Sequence, residues 1–219
     1  MTGSARRFDA AIFDLDGTLA DTLADIAEAV NAGLSSMDLP THPEEAYRDW
    51  VGEGVEHLAA LAMPASHHPQ MGELVRRFRA YYAEHVVQKS RAFPEVPAVL
   101  EALRAKGVLL AVLSNKMDLL TRRIVQVCFG DALLHPVYGE RQGVARKPDP
   151  SAALGIASEL GVEPARCLFV GDTAVDMNTA RAAGMYGVGV TWGFRGREEL
   201  EQSGAKVIIE APAELLRLV

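Results

Sequence analysis

Residues 10–17 read AAIFDLDG, a run of four apolar residues that ends in two carboxylates and a glycine. A short apolar run bounded by polar residues predicts a strand that is buried on both faces of a sheet. Later runs of the same character predict further strands at residues 108–113, 168–170, 188–190 and 207–209. The sequence therefore predicts several strands buried in one sheet, and the first of them ends in two carboxylates.

Helical patterns alternate with the later strands, at residues 96–106, 151–160 and 175–183, and each is followed by a glycine. This alternation predicts an α/β fold with a Rossmann-like, doubly wound parallel sheet, in which ligands gather at the carboxyl ends of the strands. Polar residues follow three of the predicted strands: Asp14 and Asp16, Ser114 and Asn115, and Asp172. We expect these three strand ends to form one site.

Residues 19–89 interrupt the alternation. They contain helix-like segments at 21–34, 54–61 and 71–87 and no recognisable strand. Because this stretch leaves the sheet directly after the first strand, we interpret it as an all-helical cap domain lying over the site. The catalytic core is then built from residues 1–18 and 90–219.

The composition narrows the class of protein. A chain of 219 residues, 49% of them hydrophobic, can bury a sizeable core, and its net charge of −7 gives no general attraction to nucleic acid or to an anionic membrane surface. Cys128 and Cys167 lie among apolar residues, which is typical of free buried thiols. The first apolar run is too short for a secretion signal. We expect a cytoplasmic protein, monomer or homodimer, without a nucleic-acid or membrane partner.

The first strand end carries the most specific motif. Two carboxylates one residue apart, followed by a glycine that permits a sharp turn, can hold a hard divalent cation, although a carboxylate-rich turn is an alternative. Residues 13–22, FDLDGTLADT, resemble the first signature motif of the haloacid-dehalogenase superfamily. The resemblance implies that Asp14 is a nucleophile that becomes an aspartyl-phosphate. Asp16 would act as general acid and then base, starting the cycle protonated.

The same resemblance assigns the neighbouring residues. Gly17 and Thr18 would bind the substrate, and Thr18 would also orient Asp16, with a plain turn role equally open. In LSNK, residues 113–116, the Ser114 hydroxyl and the backbone N–H groups near Asn115 would bind the phosphoryl oxygens. By itself this segment also fits a helix N-cap. Lys147, in KPDP at 147–150, would face both the nucleophile and the phosphate, whereas a lone lysine is more often a surface residue.

The fourth motif is GDTAVD at residues 171–176. The resemblance implies that Asp172 completes a metal site with the Asp14 side chain and the Asp16 backbone carbonyl. Asp176 would bind the metal through water or hold Asp172, with capping of the next helix as the alternative. The donors are all oxygen, and the carboxylates together with a dianionic phosphate would carry about −5, which requires a divalent cation. We therefore expect Mg²⁺ as the cofactor.

Softer similarities indicate the substrate. Residues 16–22, 50–54 and 190–194 resemble the phosphoglycolate phosphatase branch of the superfamily, which implies hydrolysis of a small phosphorylated metabolite, 2-phosphoglycolate. The loop Gly52-Glu53-Gly54 would enter the site and contact the substrate beyond its phosphate, or form a plain turn. An acidic substrate would need a cation from the cap, for which Arg48 and His57 are candidates.

Several alternatives stay open. Phosphosugar phosphatases and pyrophosphatases share these motifs, and a phosphomutase would differ only in the acceptor of the phosphoryl group. A dehalogenase of the superfamily lacks the second aspartate of the first motif, so Asp16 argues against that activity. A non-catalytic phosphate-binding module is disfavoured because Asp14, Asp16 and Lys147 are all present.

Overall fold

A computed structural model of the protein describes residues 7–219. Residues 1–6 of the predicted first core segment lie outside this range. The strands are β1 (Ala10–Phe13), β2 (Ala20–Asp21), β3 (Arg91–Ala92), β4 (Leu109–Met117), β5 (Val137–Glu140), β6 (Cys167–Gly171), β7 (Tyr186–Val190) and β8 (Val207–Ile209). The α-helices are α1 (Leu23–Ser35), α2 (Val55–Ala62), α3 (Met71–His85), α4 (Val96–Ala105), α5 (Asp118–Phe129), α6 (Ser151–Leu160), α7 (Ala174–Ala182) and α8 (Arg197–Gln202).

Six strands form one parallel sheet in the order β5-β4-β1-β6-β7-β8. Side chains alternate across β1, so Ala11 and Phe13 pack with α4 and α5, while Ala10 and Ile12 pack with α6 and α7. The sheet is therefore covered on both faces, which confirms the predicted α/β fold with a doubly wound parallel sheet.

The sequence prediction of the sheet is incomplete in two places. The predicted strand at 108–113 continues as β4 to Met117, so Ser114 and Asn115 lie inside a strand. The helix-cap alternative for them is wrong, because α5 begins only at Asp118. The edge strand β5 was not predicted, since only two of its four residues are buried and its apolar signal is weak.

The stretch at 19–89 is helical over most of its length. Its helices and 3₁₀ turns bury a cluster of side chains that includes Tyr47 and Tyr82. The prediction that this stretch is entirely helical is wrong at its beginning, where β2 pairs antiparallel with β3. Two-residue strands have no periodicity that a sequence pattern can reveal. The chain thus enters and leaves the helical segment through a short two-stranded ladder.

Polar contacts join this helical segment to the sheet edge that carries the predicted site. Arg48 Nη2 donates to the Gly193 carbonyl over 2.8 Å, and Arg195 Nη2 donates to the Asp49 and Val51 carbonyls over 2.8 and 3.0 Å. Within residues 7–219, no helix has the length and apolar character needed to cross a membrane.

Candidate active site

The central strands of the sheet bring the predicted residues together. Because β4, β1 and β6 are neighbours and run parallel, their carboxyl ends place Ser114, Asp14 and Asp172 at one edge. The Asp14 N–H donates to the Val170 carbonyl over 2.9 Å, which ties the end of β1 to β6. All three side chains are buried.

Three carboxylates share a small volume around Lys147. Single oxygens of Asp14, Asp172 and Asp176 all lie within 4.8 Å of one another. The buried Lys147 Nζ lies 2.8 Å from Asp14 Oδ1 and 2.7 Å from Asp176 Oδ1. Lys147 is therefore not the surface residue that its sequence alone allows.

The charges of this cluster do not balance. Three carboxylates and one ammonium leave a formal excess of two negative charges away from water. Burial, reinforced by Asp176 and Asp14, raises the pKa of Asp172 to about 8. Burial also raises the pKa of Asp14, in opposition to the attraction of Lys147. A divalent cation fits both this excess charge and the all-oxygen donor set.

Asp176 has two roles at once. Its Oδ2 accepts hydrogen bonds from the Thr173 hydroxyl at 2.7 Å and the Thr173 N–H at 3.2 Å, which caps the start of α7. Its Oδ1 accepts from Lys147 in the carboxylate cluster. The helix-capping interpretation is therefore correct for one oxygen. The capping hydrogen bonds fix the carboxylate so that its other oxygen stays in the site.

The structure corrects the predicted partner of Asp16. The Thr22 hydroxyl donates to Asp16 Oδ1 over 2.6 Å, whereas the Thr18 hydroxyl donates to Asp172 Oδ1 over 3.0 Å. The prediction that Thr18 orients Asp16 is thus wrong. Gly17, with φ of +84°, turns the chain so that Thr18 faces β6 and Thr22 points back to Asp16.

Asn115 holds Lys147 in place. Its Oδ1 accepts the Lys147 N–H over 2.9 Å, and its Nδ2 donates to the carbonyls of Lys147 and Gly52, both over 3.0 Å. The amide hydrogens of the side chain are thereby used within the protein. The predicted phosphoryl contact at this position rests on the backbone N–H, and the side chain joins the lysine turn to the helical segment.

Sequence reasoning assigned no role to Lys116. Its Nζ lies 2.8 Å from Asp16 Oδ1 and 3.0 Å from Asp16 Oδ2, and its side chain is only 7% exposed. Had the strand been extended to Met117, side-chain alternation would have placed Lys116 on the same side as Ser114. The partner across the site comes from a distant part of the chain and leaves no sequence signal.

A cavity lies between this edge of the sheet and the helical segment. Asp14, Asp16, Ser114 and Lys116 line its polar side. The opposite wall is mainly apolar: Ile26, Val51, Val55, Leu58, Phe78 and Leu120. The cavity therefore combines a charged floor with a hydrophobic roof.

The loop at residues 52–54 is only partly where the sequence predicts it. Gly52 and Gly54 line the cavity, but Glu53 is exposed and pairs with His57 at 3.7 Å. Neither His57 nor Arg48 lines the cavity, because Arg48 is used on the Gly193 carbonyl. Of the described residues, Lys116 contributes a cationic side chain to the cavity wall.

Gly17 is predicted to tolerate substitution poorly. A Cβ there would lie 2.3 Å from Asp172 Oδ2, whereas one at Gly184, whose φ is also positive, would meet nothing within 4 Å. We expect Gly184→Ala to lose about 1–2 kcal/mol of unfolding free energy through backbone strain alone. Gly17→Ala should lose more and should also displace Asp172, weakening metal binding in calorimetry. Equal losses of stability and unchanged metal affinity would contradict this view of Gly17.

Comparisons with known proteins agree with this geometry. The model of the haloacid dehalogenase-like hydrolase family matches residues 11–190. A phosphoglycolate phosphatase of Mannheimia succiniciproducens is 34% identical over 215 residues, covering 94% of this chain and 96% of that protein. The phosphoglycolate phosphatase of Escherichia coli is 31% identical over 225 residues, covering 93% and 89%. A crystal structure of a predicted phosphoglycolate phosphatase from Haemophilus somnus has a TM-score of 0.88 at 30% identity, covering 98% and 99% of the two chains.

Proposed function

Because the chain belongs to the haloacid dehalogenase-like hydrolase family, we propose that it is a Mg²⁺-dependent phosphatase whose substrate is 2-phosphoglycolate. The observation that carries this proposal is the buried carboxylate cluster around Lys147, whose member Asp14 lines a cavity that has Lys116 on its wall. The similarity to phosphatases of phosphoglycolate over nearly the whole chain supports the choice of substrate.

Asp14 is the nucleophile of the proposed reaction. One carboxylate oxygen attacks phosphorus, the bond from phosphorus to the ester oxygen breaks, and the phosphoryl group is carried as an aspartyl-phosphate. Lys147 contacts Asp14 and so lies where it can orient the nucleophile and neutralise the transferring group. The Ser114 hydroxyl, buried near the carboxyl end of the adjacent strand, is the side-chain donor for the phosphoryl oxygens.

Asp16 handles the protons in this scheme. It lines the cavity next to Asp14 and is fixed by the Thr22 hydroxyl. In this scheme Asp16 is protonated when the ester binds and gives that proton to the departing alkoxide. It then takes a proton from the water that hydrolyses the aspartyl-phosphate, which returns Asp14 to its free form and Asp16 to its starting state. Asp16 on the cavity wall is therefore the residue that allows water to hydrolyse the aspartyl-phosphate.

The residues that would hold Mg²⁺ are Asp14, Asp172, the Asp16 backbone carbonyl and, directly or through water, Asp176. The ion would supply Lewis-acid stabilisation of the phosphoryl oxygens. Thr18 and the Phe194 N–H, which bind Asp172 at 3.0 and 2.7 Å, would orient that ligand.

The helical segment at 19–89 is proposed to act as the cap, with residues 1–18 and 90–219 as the core. The cap helices and the loop glycines Gly52 and Gly54 supply the cavity roof. Water is then excluded from the reacting group when the roof is in place. Its apolar surface favours a substrate with few hydroxyl groups, because each unpaired buried hydroxyl costs about 1–3 kcal/mol. This disfavours the phosphosugar alternative.

The test is phosphate release with Mg²⁺ from 2-phosphoglycolate, sugar phosphates, pyrophosphate and nucleotides. We expect kcat/KM for 2-phosphoglycolate to exceed the others by about a hundredfold, which corresponds to roughly 3 kcal/mol of transition-state discrimination. A sugar phosphate or pyrophosphate as the best substrate would refute the substrate and keep the mechanism. Transfer of the phosphoryl group to an added sugar phosphate would instead identify a phosphomutase.

A further inference from the structure

Lys116 lies on the cavity wall with donor capacity to spare. Its Nζ contacts both oxygens of Asp16, at 2.8 and 3.0 Å. An ammonium group has three N–H donors, so contacts with one carboxylate leave at least one donor for a ligand.

Tyr82 supplies a second donor from the opposite wall. It belongs to α3, and the centre of its ring lies 4.8 Å from Lys116 Nζ. Its hydroxyl is buried beside the Lys116 ammonium and makes no hydrogen bond of normal geometry among residues 7–219, so its O–H is free to donate. Burial raises the pKa of Tyr82 to about 12, so the hydroxyl is protonated at neutral pH. A buried hydroxyl without a partner beside a cation is a place for an anionic oxygen.

We propose that Lys116 and Tyr82 form the subsite for a carboxylate that the substrate carries on the carbon next to its ester oxygen. This inference rests on the proposed function and makes Lys116 and Tyr82 its specificity-determining residues. The substrate class is then the phosphate esters of short 2-hydroxy acids.

The position of the two donors follows from the proposed reaction. In the proposed reaction Asp16 contacts the ester oxygen. Lys116 Nζ contacts Asp16 over 2.8 Å, so the ammonium group lies next to the ester oxygen, on the side of the leaving group. A carboxylate separated from that oxygen by one carbon falls within reach of Lys116. The surrounding wall, which includes Ile26 and Phe78, is apolar and strengthens the attraction between unlike charges. A neutral leaving group would leave the spare Lys116 donor and the Tyr82 hydroxyl without a partner. We therefore expect a lower kcat/KM for substrates with such a leaving group.

The experiment measures kcat and KM for 2-phosphoglycolate and for ethyl phosphate, which lacks the carboxylate, in wild type, Lys116→Met and Tyr82→Phe. We expect Lys116→Met to lose at least about thirtyfold more kcat/KM with 2-phosphoglycolate than with ethyl phosphate. Tyr82→Phe should lose about three- to tenfold more, chiefly through KM. Arg123→Met, which removes an exposed arginine of α5, should leave both substrates unaffected.

Each other outcome is decisive. Equal losses with both substrates, which leave the preference between them unchanged, would mean that Lys116 acts only on Asp16 and does not bind the substrate's carboxylate. That result overturns the inference. If Lys116→Met melts below the assay temperature, Tyr82→Phe decides, because the hydroxyl it removes makes no hydrogen bond of normal geometry among residues 7–219 and its loss should disturb the fold little. A preference for pyrophosphate that Lys116→Met abolishes would also overturn it. Wild type that hydrolyses other esters but not 2-phosphoglycolate refutes the proposed function itself, and a wild-type preference that survives both variants refutes only this subsite.

Discussion

Asp14→Asn is expected to lower kcat by about 10⁴-fold or more while leaving the fold intact. The amide has nearly the shape of the carboxylate but cannot attack phosphorus. Asp14 is buried and its pKa is raised by that burial, so the folded protein already disfavours its charge. We therefore expect the metal-free variant to melt at or above the temperature of the wild type. Steady-state kinetics with 2-phosphoglycolate and a thermal melt would measure the two effects.

A matched control removes a carboxylate that has no part in the site. Asp131 is exposed, and Asp131→Asn should leave kcat, KM and the melting temperature unchanged. If Asp14→Asn keeps more than a small fraction of wild-type kcat, with no deamidation back to aspartate by mass spectrometry, Asp14 is not the nucleophile. An unfolded variant would contradict the stability argument instead. Acid-quenched protein should carry phosphate on the wild type and none on Asp14→Asn.

The parts of the molecule that the sequence predicts are those with local signals. The five predicted strands all occur, because each contains a continuous apolar run, and β1 and β6 at the centre of the sheet are fully buried whereas the edge strand β8 is only partly so. The first and fourth motifs place Asp14 and Asp172 at strand ends, and the parallel order of β4, β1 and β6 then brings them together without further information. The ladder of β2 and β3 was missed because two-residue strands carry no period.

Two of the site contacts that the sequence does not predict are made across the fold. Lys116 meets Asp16 from a position 100 residues away, and Thr18 meets Asp172 across 154 residues. Such pairings depend on where a glycine turns the chain and on how far a strand continues. Arg48 illustrates the opposite error: its charge suits an acidic substrate, but its side chain is used to bind the helical segment to Gly193. Charge alone therefore identifies candidates, and geometry selects among them.

Removing the metal ion is expected to abolish activity, and restoring Mg²⁺ should recover it, whereas Ca²⁺ should recover little because its looser coordination does not hold the reacting groups in line. The same binding should appear as a pH-dependent gain in stability. In the metal-free protein, burial raises the pKa of Asp172 from 3.8 to about 8. This group therefore contributes its full stability below pH 3.8 and loses it as the pH rises towards 8.

Mg²⁺ reverses this trend because it binds the ionised carboxylates. The rise in melting temperature caused by Mg²⁺ should be small at pH 5 and larger at pH 8. At pH 8 the gain in unfolding free energy should approach about 2.7 kcal/mol when the ion is at a hundred times its Kd. Asp172→Asn, measured by calorimetry beside the wild type, should show little gain at either pH. A gain that is equal at both pH values, or that persists in Asp172→Asn, would mean that the ion binds elsewhere. Full phosphatase activity in EDTA would remove the metal from the reaction altogether, and Lys147, which contacts Asp14, would then have to balance the transferring phosphate.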